Sequence, residues 1–324
     1  ARDRFQRVPS LTLMLAAAVD ATTDGPYASF QSTERDRYEL RLACMLHDCG
    51  KIATPVHIVD KATKLQTLFD RIELIDTRFE VLKRDAEITT LRQQLALRTC
   101  ADPAAEAEAG KYGEDALLHI ESDRAFLSEV NRTQSMMTQA PLAKVRDIGM
   151  RRQWRNSDGV QIPFLSSDEL ENLSIVHGTL TEQERGIVNQ HVVATHTMLG
   201  HVPWPKHLNN VHEYASAGLE RMDGSGFPNG LTRYQMSLQS RMLALSNIFE
   251  ALTSANRPYR PRMKLSKALE IMVRFSKNGH IDPDLFDVFM HQGVYRRFAE
   301  KYLSPEQIDL PPFINTAPDA LRRH

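Results

Sequence analysis

An all-α fold is predicted for this 324-residue chain, a helical bundle with a long helical hairpin inserted into it. Three observations predict it. Apolar residues recur at steps of three and four along much of the chain, the spacing of one helix face. No stretch alternates convincingly between apolar and polar residues, as a half-buried strand would. Helix start and stop signals bracket the periodic stretches, such as the capping-box pattern of Thr181 and Glu184 in TEQE. No internal repeat at a fixed period is present.

The elements follow in order. LTLMLAAAV, residues 11–19, is the longest apolar run. It falls short of the roughly 20 residues a membrane helix needs and reads as a buried helix. DRYELRLACMLHDC, residues 36–49, reads as a second buried helix that stops at Gly50. Over about 59–98, Leu65, Leu68, Ile72, Ile75, Phe79 and Leu82 fall at steps of 3, 4, 3, 4 and 3, with Asp70, Arg71, Glu73 and Lys83 between them. This heptad spacing predicts a long helix with a narrow apolar seam. Its partner is either a later helix near 114–138 or the same helix of a second copy. CADPAAEAEAGKYGED, residues 100–115, reads as a loose hairpin tip, and NSDGVQIPFLSSDE, residues 156–169, as irregular. The helix opened by Thr181 carries His191. Further helices are predicted over about 237–255, 264–276 and 283–304, then a Pro-rich tail.

Composition narrows the function classes. Apolar content is 42% and charged content 25%, ordinary for a folded protein. A net charge of -1 argues against an electrostatic binder of nucleic acid or membranes. Cys44, Cys49 and Cys100 have the spacing of neither a disulfide framework nor a zinc cluster. A cytoplasmic setting is expected. The chain begins at Ala1 without a signal peptide. It is read as a piece of a longer protein, the output end of a sensor.

Two stretches could carry chemistry. In LHDCGKI, residues 46–52, His47 and Asp48 stand at the end of an apolar helix. Burying both without partners is costly. Either they form a hydrogen-bonded core pair, or imidazole and carboxylate hold a metal ion. Lys51, one turn on, could protonate a leaving oxygen or hold a phosphate. The second stretch, AGLERMDGSGFP at 217–228, ends in a dense turn signal. It has the frame of a ligand-facing turn, yet Gly218 and Leu219 cannot ionise, donate or coordinate.

The ordered motifs HDCGK, ERGIVNQH (184–191), ERMDGSGFPNGL (220–231) and IFEALTSANRPYR (248–260) together resemble the HD-GYP family. These are helical, metal-dependent phosphohydrolases that open cyclic di-GMP. The resemblance covers roughly 36–58 and 170–275. VDKATKLQTLFDRIELIDTRFEVLKRDAEI, residues 59–88, resembles a subgroup with a helical insertion behind the HD motif. The implied organisation is 1–58 and 170–308 for the HD-GYP domain, 59–169 for the hairpin insertion and 309–324 for a tail.

The resemblance implies seven metal-ligand positions, and three are kept: His47, Asp48 and His191. The early His falls on Arg4, the His-His pair on Gly218 and Leu219, and the Asp before the F-D/E-A motif on Asn247. Phe227 replaces the Tyr of GYP. With four of seven ligands gone, a dinuclear Fe or Mn site is not expected, and at most one divalent ion is. His212, near the lost pair, is a candidate substitute ligand. Asp48 and Lys51 are the implied catalytic residues, and Arg257 and Arg260 the implied phosphate holders. The expected function is that of a degenerate module in nucleotide signalling, acting as a homodimer or on a partner protein, with lost or reduced phosphodiesterase activity. The alternative is a working metal-dependent phosphodiesterase, and a pure dimerisation or scaffold role is the third.

Overall fold

Helices make up almost all of the regular structure. The computed structural model describes residues 4–99, 103–254 and 262–310. Among the described residues there are thirteen α-helices and one two-stranded ribbon, an all-α HD-domain fold. The chain divides into two compact units, Ala1–Thr54 with Ile187–His324, and Pro55–Gly186.

The first unit opens with α1 (Arg4–Asp20) and α2 (Glu34–Leu46). Val8, Leu11, Leu15 and Val19 give α1 one fully buried face. Thr33 starts α2 through a capping box: its hydroxyl accepts from the Asp36 amide, and the Asp36 carboxylate accepts from the Thr33 amide. The sequence placed the end of this helix at residue 49; it ends at Leu46. His47 caps it, and a 3-10 helix, Cys49–Ala53, follows. The HD pair therefore sits in a tight turn rather than inside a regular helix.

The second unit begins with α3 (Val56–Val59) and then α4 (Ile72–Thr99) and α5 (Pro103–Arg132). Two expectations need correction. The long helix starts at Ile72, not near 59, because the Asp70 carboxylate caps it there. Asp70 accepts from the Ile72 amide, the Thr63 hydroxyl and the Asn131 side chain. Leu65 and Leu68 thus precede the helix; Leu65 still reaches the core, whereas Leu68 is 88% exposed. The supposed loose tip is helical from Pro103 onward. Proline suits a first turn, and the Ala- and Glu-rich stretch behind it has high helix propensity. Ile75 and Phe79 are buried with Ile120, Leu127 and Val130 of α5 in one apolar cluster. The seam is thus used within the chain, as a hairpin.

Sequence analysis did not anticipate α6 (Gln139–Arg151), or the antiparallel ribbon of β1 (Gln153–Arg155) and β2 (Gln161–Pro163). Asn156 closes the ribbon's turn by accepting from the amides of Asp158 and Val160. Three-residue strands carry too little alternation to be read. Next comes α7 (Ser167–Leu173), and Phe164 just before it packs on Phe79 at 4.5 Å between ring centroids.

The first unit resumes in α8 (Glu182–Gly200), whose first turn is counted with the second unit. The Thr181–Glu184 capping box is present as the sequence predicted. Then come α9 (Val211–Ser216), α10 (Leu238–Thr253), α11 (Leu265–Lys277), α12 (Pro283–His291) and α13 (Val294–Tyr302). The single helix expected over 283–304 is two, divided at Gly293, whose φ of 61° is left-handed. Phe249 of α10, Phe289 of α12 and Phe298 of α13 meet edge to face in the core. Asp282 is buried and caps α12. It also accepts from the Tyr27 hydroxyl at 2.7 Å and pairs with Arg233 and Arg241. Burial, reinforced by this carboxylate, pushes the Tyr27 phenol up to about 12. No described helix is long and apolar enough to cross a membrane.

Candidate functional site

One wall of the site is the turn after α2 packed on α8. Gly50 makes that packing possible. A Cβ there would stand 2.0 Å from the His191 carbonyl oxygen and 2.5 Å from the Thr195 amide nitrogen. The sequence marked Gly50 only as a helix stop; its further role is this backbone contact. Thr195, fully buried one turn beyond His191, ties the turn down. Its hydroxyl accepts from the Gly50 amide at 3.0 Å and donates to the His47 carbonyl at 3.4 Å.

This wall gathers the retained polar residues. His47 and His191 are 7% and 8% exposed. Asp48 Oδ2 lies 3.5 Å from His47 Nε2, and Asp48 Oδ1 lies 3.7 Å from His191 Nε2. His47 Nδ1 is 2.7 Å from the Cys44 carbonyl, and His191 Nδ1 bonds the Val188 carbonyl. A carbonyl only accepts, so Nδ1 carries a proton in both rings, and Nε2 is the nitrogen turned toward Asp48. Metal-ligating imidazoles are held in this way. Lys51 Nζ is 2.6 Å from Asp48 Oδ2, so an ammonium already sits on that carboxylate.

The opposite wall is the turn after α9, with α10 behind it. Glu220 is 1% exposed, and its carboxylate accepts from the amides of Asn229 at 2.7 Å and Leu231 at 2.9 Å. This staple closes the DGSGFP turn. Phe227 donates its amide to the Leu219 carbonyl, and Asp223 donates its amide to the Gly279 carbonyl. The frame is intact. Gly218 faces across the site: a Cβ there would lie 3.6 Å from Asn247 Nδ2 and 4.0 Å from His47 Cδ2. Asn247, itself buried, donates from Nδ2 to the Gly218 carbonyl at 3.3 Å. Positions 47, 218 and 247, brought together by resemblance alone, are therefore neighbours in space.

The residues do not fit two metal ions. Gly218 offers a hydrogen atom, half-buried Leu219 an alkyl chain, and Asn247 a neutral amide whose nitrogen is spent on a carbonyl. Two dications repel each other and need carboxylate charge between them. For one ion, His47, Asp48 and His191 have suitable chemistry, two imidazoles and a carboxylate. Their separations from Asp48, 3.5 and 3.7 Å, are close to the roughly 3.4 Å between ligands of one tetrahedral ion. Among the described residues, however, no group of three or more His, Cys, Asp or Glu side chains is arranged to hold a metal. Lys51 on Asp48 is a physical reason for that, since it takes up the charge an ion would use.

The other expected residues lie elsewhere. The Arg4 side chain and all of Arg257 and Arg260 lie outside the described residues. His212 does not replace the lost pair. Its Nε2 bonds the His196 carbonyl at 3.0 Å, and its ring lies against that of His196, tilted by 42°. Sequence reasoning missed Thr195 and Glu220. Thr195 was legible as the residue four beyond His191, on the same helix face. Glu220 carried no signal of its own, because its partners are backbone amides.

Comparison with known proteins agrees with this architecture. Residues 126–285 match the HD domain family. That span begins in α5, so it includes the signature turn and Asn247 but not the HD pair. The chain is similar to the 3'3'-cGAMP-specific phosphodiesterase 1 of Vibrio cholerae, 42% identical over 80 residues, covering 25% of this chain and 18% of that protein. It is similar to a cyclic di-GMP phosphodiesterase of Pseudomonas aeruginosa, 35% identical over 119 residues, covering 36% and 28%. It is also similar to the cyclic di-GMP phosphodiesterase response regulator RpfG of Xanthomonas campestris, 28% identical over 121 residues, covering 35% of this chain and 29% of that protein. The matched stretches thus span less than a third of each relative. With the ordered motifs, these likenesses support a place for the chain among the HD-GYP members of the HD domain family.

Proposed function

Starting from that likeness, we propose that this is a degenerate HD-GYP domain, a cytoplasmic signalling or nucleotide-binding module with lost or strongly reduced cyclic di-GMP phosphodiesterase activity. The observation that carries the reading is at Gly218. Its position faces His47 and Asn247, within ordinary van der Waals distance of both, and it presents no ligand there. A phosphodiester is inert unless water is activated and the phosphoryl charge neutralised. The second ion that would complete both tasks has almost nothing to hold it. At most one divalent ion, Fe, Mn or similar, is held, by His47, Asp48 and His191. Arg257 and Arg260 hold nucleotide phosphate. The output passes to a partner protein or a second copy of the chain.

The gathering of His47, Asp48 and His191, with Lys51 beside them, favours a second reading, a working phosphodiesterase built on a different metal arrangement. In it Asp48 orients the attacking water and Lys51 protonates the leaving sugar oxygen.

A turnover assay with Mn or Fe separates the two. The wild type is expected to be silent. Gly218→His with Leu219→His and Asn247→Asp is expected to gain activity, aided by Arg4→His, whereas each single change is not, because such groups act as a unit. The turn permits it: a Cβ at Gly218 meets nothing closer than 3.6 Å. Robust metal-dependent turnover by the wild type would falsify the degenerate reading.

A further inference from the structure

Away from the retained ligands, α8 and α9 are joined by a closed ring of polar bonds. The His196 and His212 rings lie 4.3 Å apart between centroids, tilted by 42°. Ser216 Oγ donates to the His212 carbonyl at 2.7 Å. Its single proton is thus spent, and at 3.2 Å it accepts from His196 Nδ1. His212 Nε2 donates to the His196 carbonyl at 3.0 Å. Both tautomers are fixed by these partners, and every bond in the ring is made with both imidazoles neutral. Beyond Ser216 the chain passes through Ala217 directly into Gly218, the wall of the candidate site.

We infer that the contacting imidazoles of His196 and His212 form an acid-sensitive latch that holds α9, and through it the Gly218 turn, against α8. Neutral, the rings lie in contact without repulsion. A proton on each would place two like charges about 4 Å apart, at the 4.3 Å centroid spacing, which opposes protonation of His212. The surroundings offer these charges little compensation. Glu213 adjoins His212 on α9 but is exposed. On the α2 side, Glu39 is committed to Asn210, accepting from its backbone amide at 2.6 Å and from its side chain. Glu39, Glu213 and Asp36 act on the Tyr214 phenol instead. On α10 the ionisable side chains are Arg241 and Glu250, engaged with Asp282 and Arg7. Just past α8, His201 bonds the Thr197 carbonyl, and His207 lies exposed in the connection to α9.

Burial, and then the neighbouring His196 ring, hold the His212 imidazole below the usual histidine range. The sign follows. The unfolded chain, with an ordinary imidazole near pH 6.5, binds a proton that the closed latch refuses. The latch is fully stable above about pH 6.5 and loses stability as pH falls through the window beneath it. The inference does not depend on what the site binds.

Two measurements on the whole chain test it. Imidazole NMR titration is expected to show His212 taking up its proton below the free value. Amide exchange, corrected for its intrinsic pH dependence, is expected to show residues 211–219 losing protection about tenfold or more between pH 7.5 and 5. In His196→Asn with His212→Gln, side-chain amides keep the two donors without titrating, and the acid response is expected to vanish. Unshifted titration of His212, near the free value of about 6.5, overturns the latch. So does acid-independent protection in the wild type, or an acid response that survives in the double variant. Should the double variant not fold, the wild-type titration decides alone.

Discussion

On the α2–α8 wall of the candidate site, His47, Asp48, His191 and Lys51 stand among the groups that hold them, Gly50 and Thr195. On the wall of the signature turn and α10, the groups described are holding groups. Glu220 still staples the turn, and Arg233 and Asp282 still brace its far end against α12. The positions facing the opposite wall carry Gly218, Leu219 and Asn247. The difference teaches that folding and chemistry place separate demands on one loop. A buried carboxylate satisfying two backbone amides cannot be lost without leaving those amides unpaired. A metal ligand facing an open site can become glycine or leucine at no cost to the fold.

That contrast can be broken most severely at Gly50. Gly50→Ala forces a Cβ onto the α8 backbone, and no flexible side chain can yield. The expected cost is about 3 kcal/mol in denaturant unfolding. A change below about 0.5 kcal/mol would show that the turn does not pack on α8 as described.

On the other wall the strongest lever is Glu220. Glu220→Ala is expected to cost about 2 kcal/mol, with faster exchange at the Asn229 and Leu231 amides. Unaltered exchange there would remove the staple from the account. Gly218→Ala, by contrast, meets only ordinary contacts and is expected to stay within about 0.5 kcal/mol of the wild type. A large loss at Gly218 would mean the glycine serves the fold rather than marking an absent ligand.

A finer test concerns the nucleotide. If Arg257 grips phosphate, Arg257→Ala is expected to weaken cyclic di-GMP binding about tenfold by calorimetry, with affinity falling as salt rises. Equal binding by both proteins, or none by the wild type, retires that contact.

The all-α class, the capping box at Thr181, the buried face of α1 and the Ile75–Phe79 seam were legible because each is a local pattern with a fixed period or spacing. The start of α4 was not, because Asp70 caps it with help from Asn131, distant in sequence. Nor was the ribbon at 153–163, where three-residue strands leave no period to count. Of the candidate site, the sequence named His47, Asp48 and His191 and the replaced positions 218, 219 and 247 through motif order. It could not show that Gly218 faces His47, that Lys51 rests on Asp48, or that His212 is engaged with His196. Those are facts of side-chain direction, and spacing along a chain does not carry them.

The central claim is that the second metal position has lost its ligands while its frame persists. Metal content, counted per chain on protein purified without chelator, tests it most directly. The account predicts at most one divalent ion in the wild type, and a rise toward two in Gly218→His with Leu219→His and Asn247→Asp. Two ions bound to the unaltered chain would contradict it.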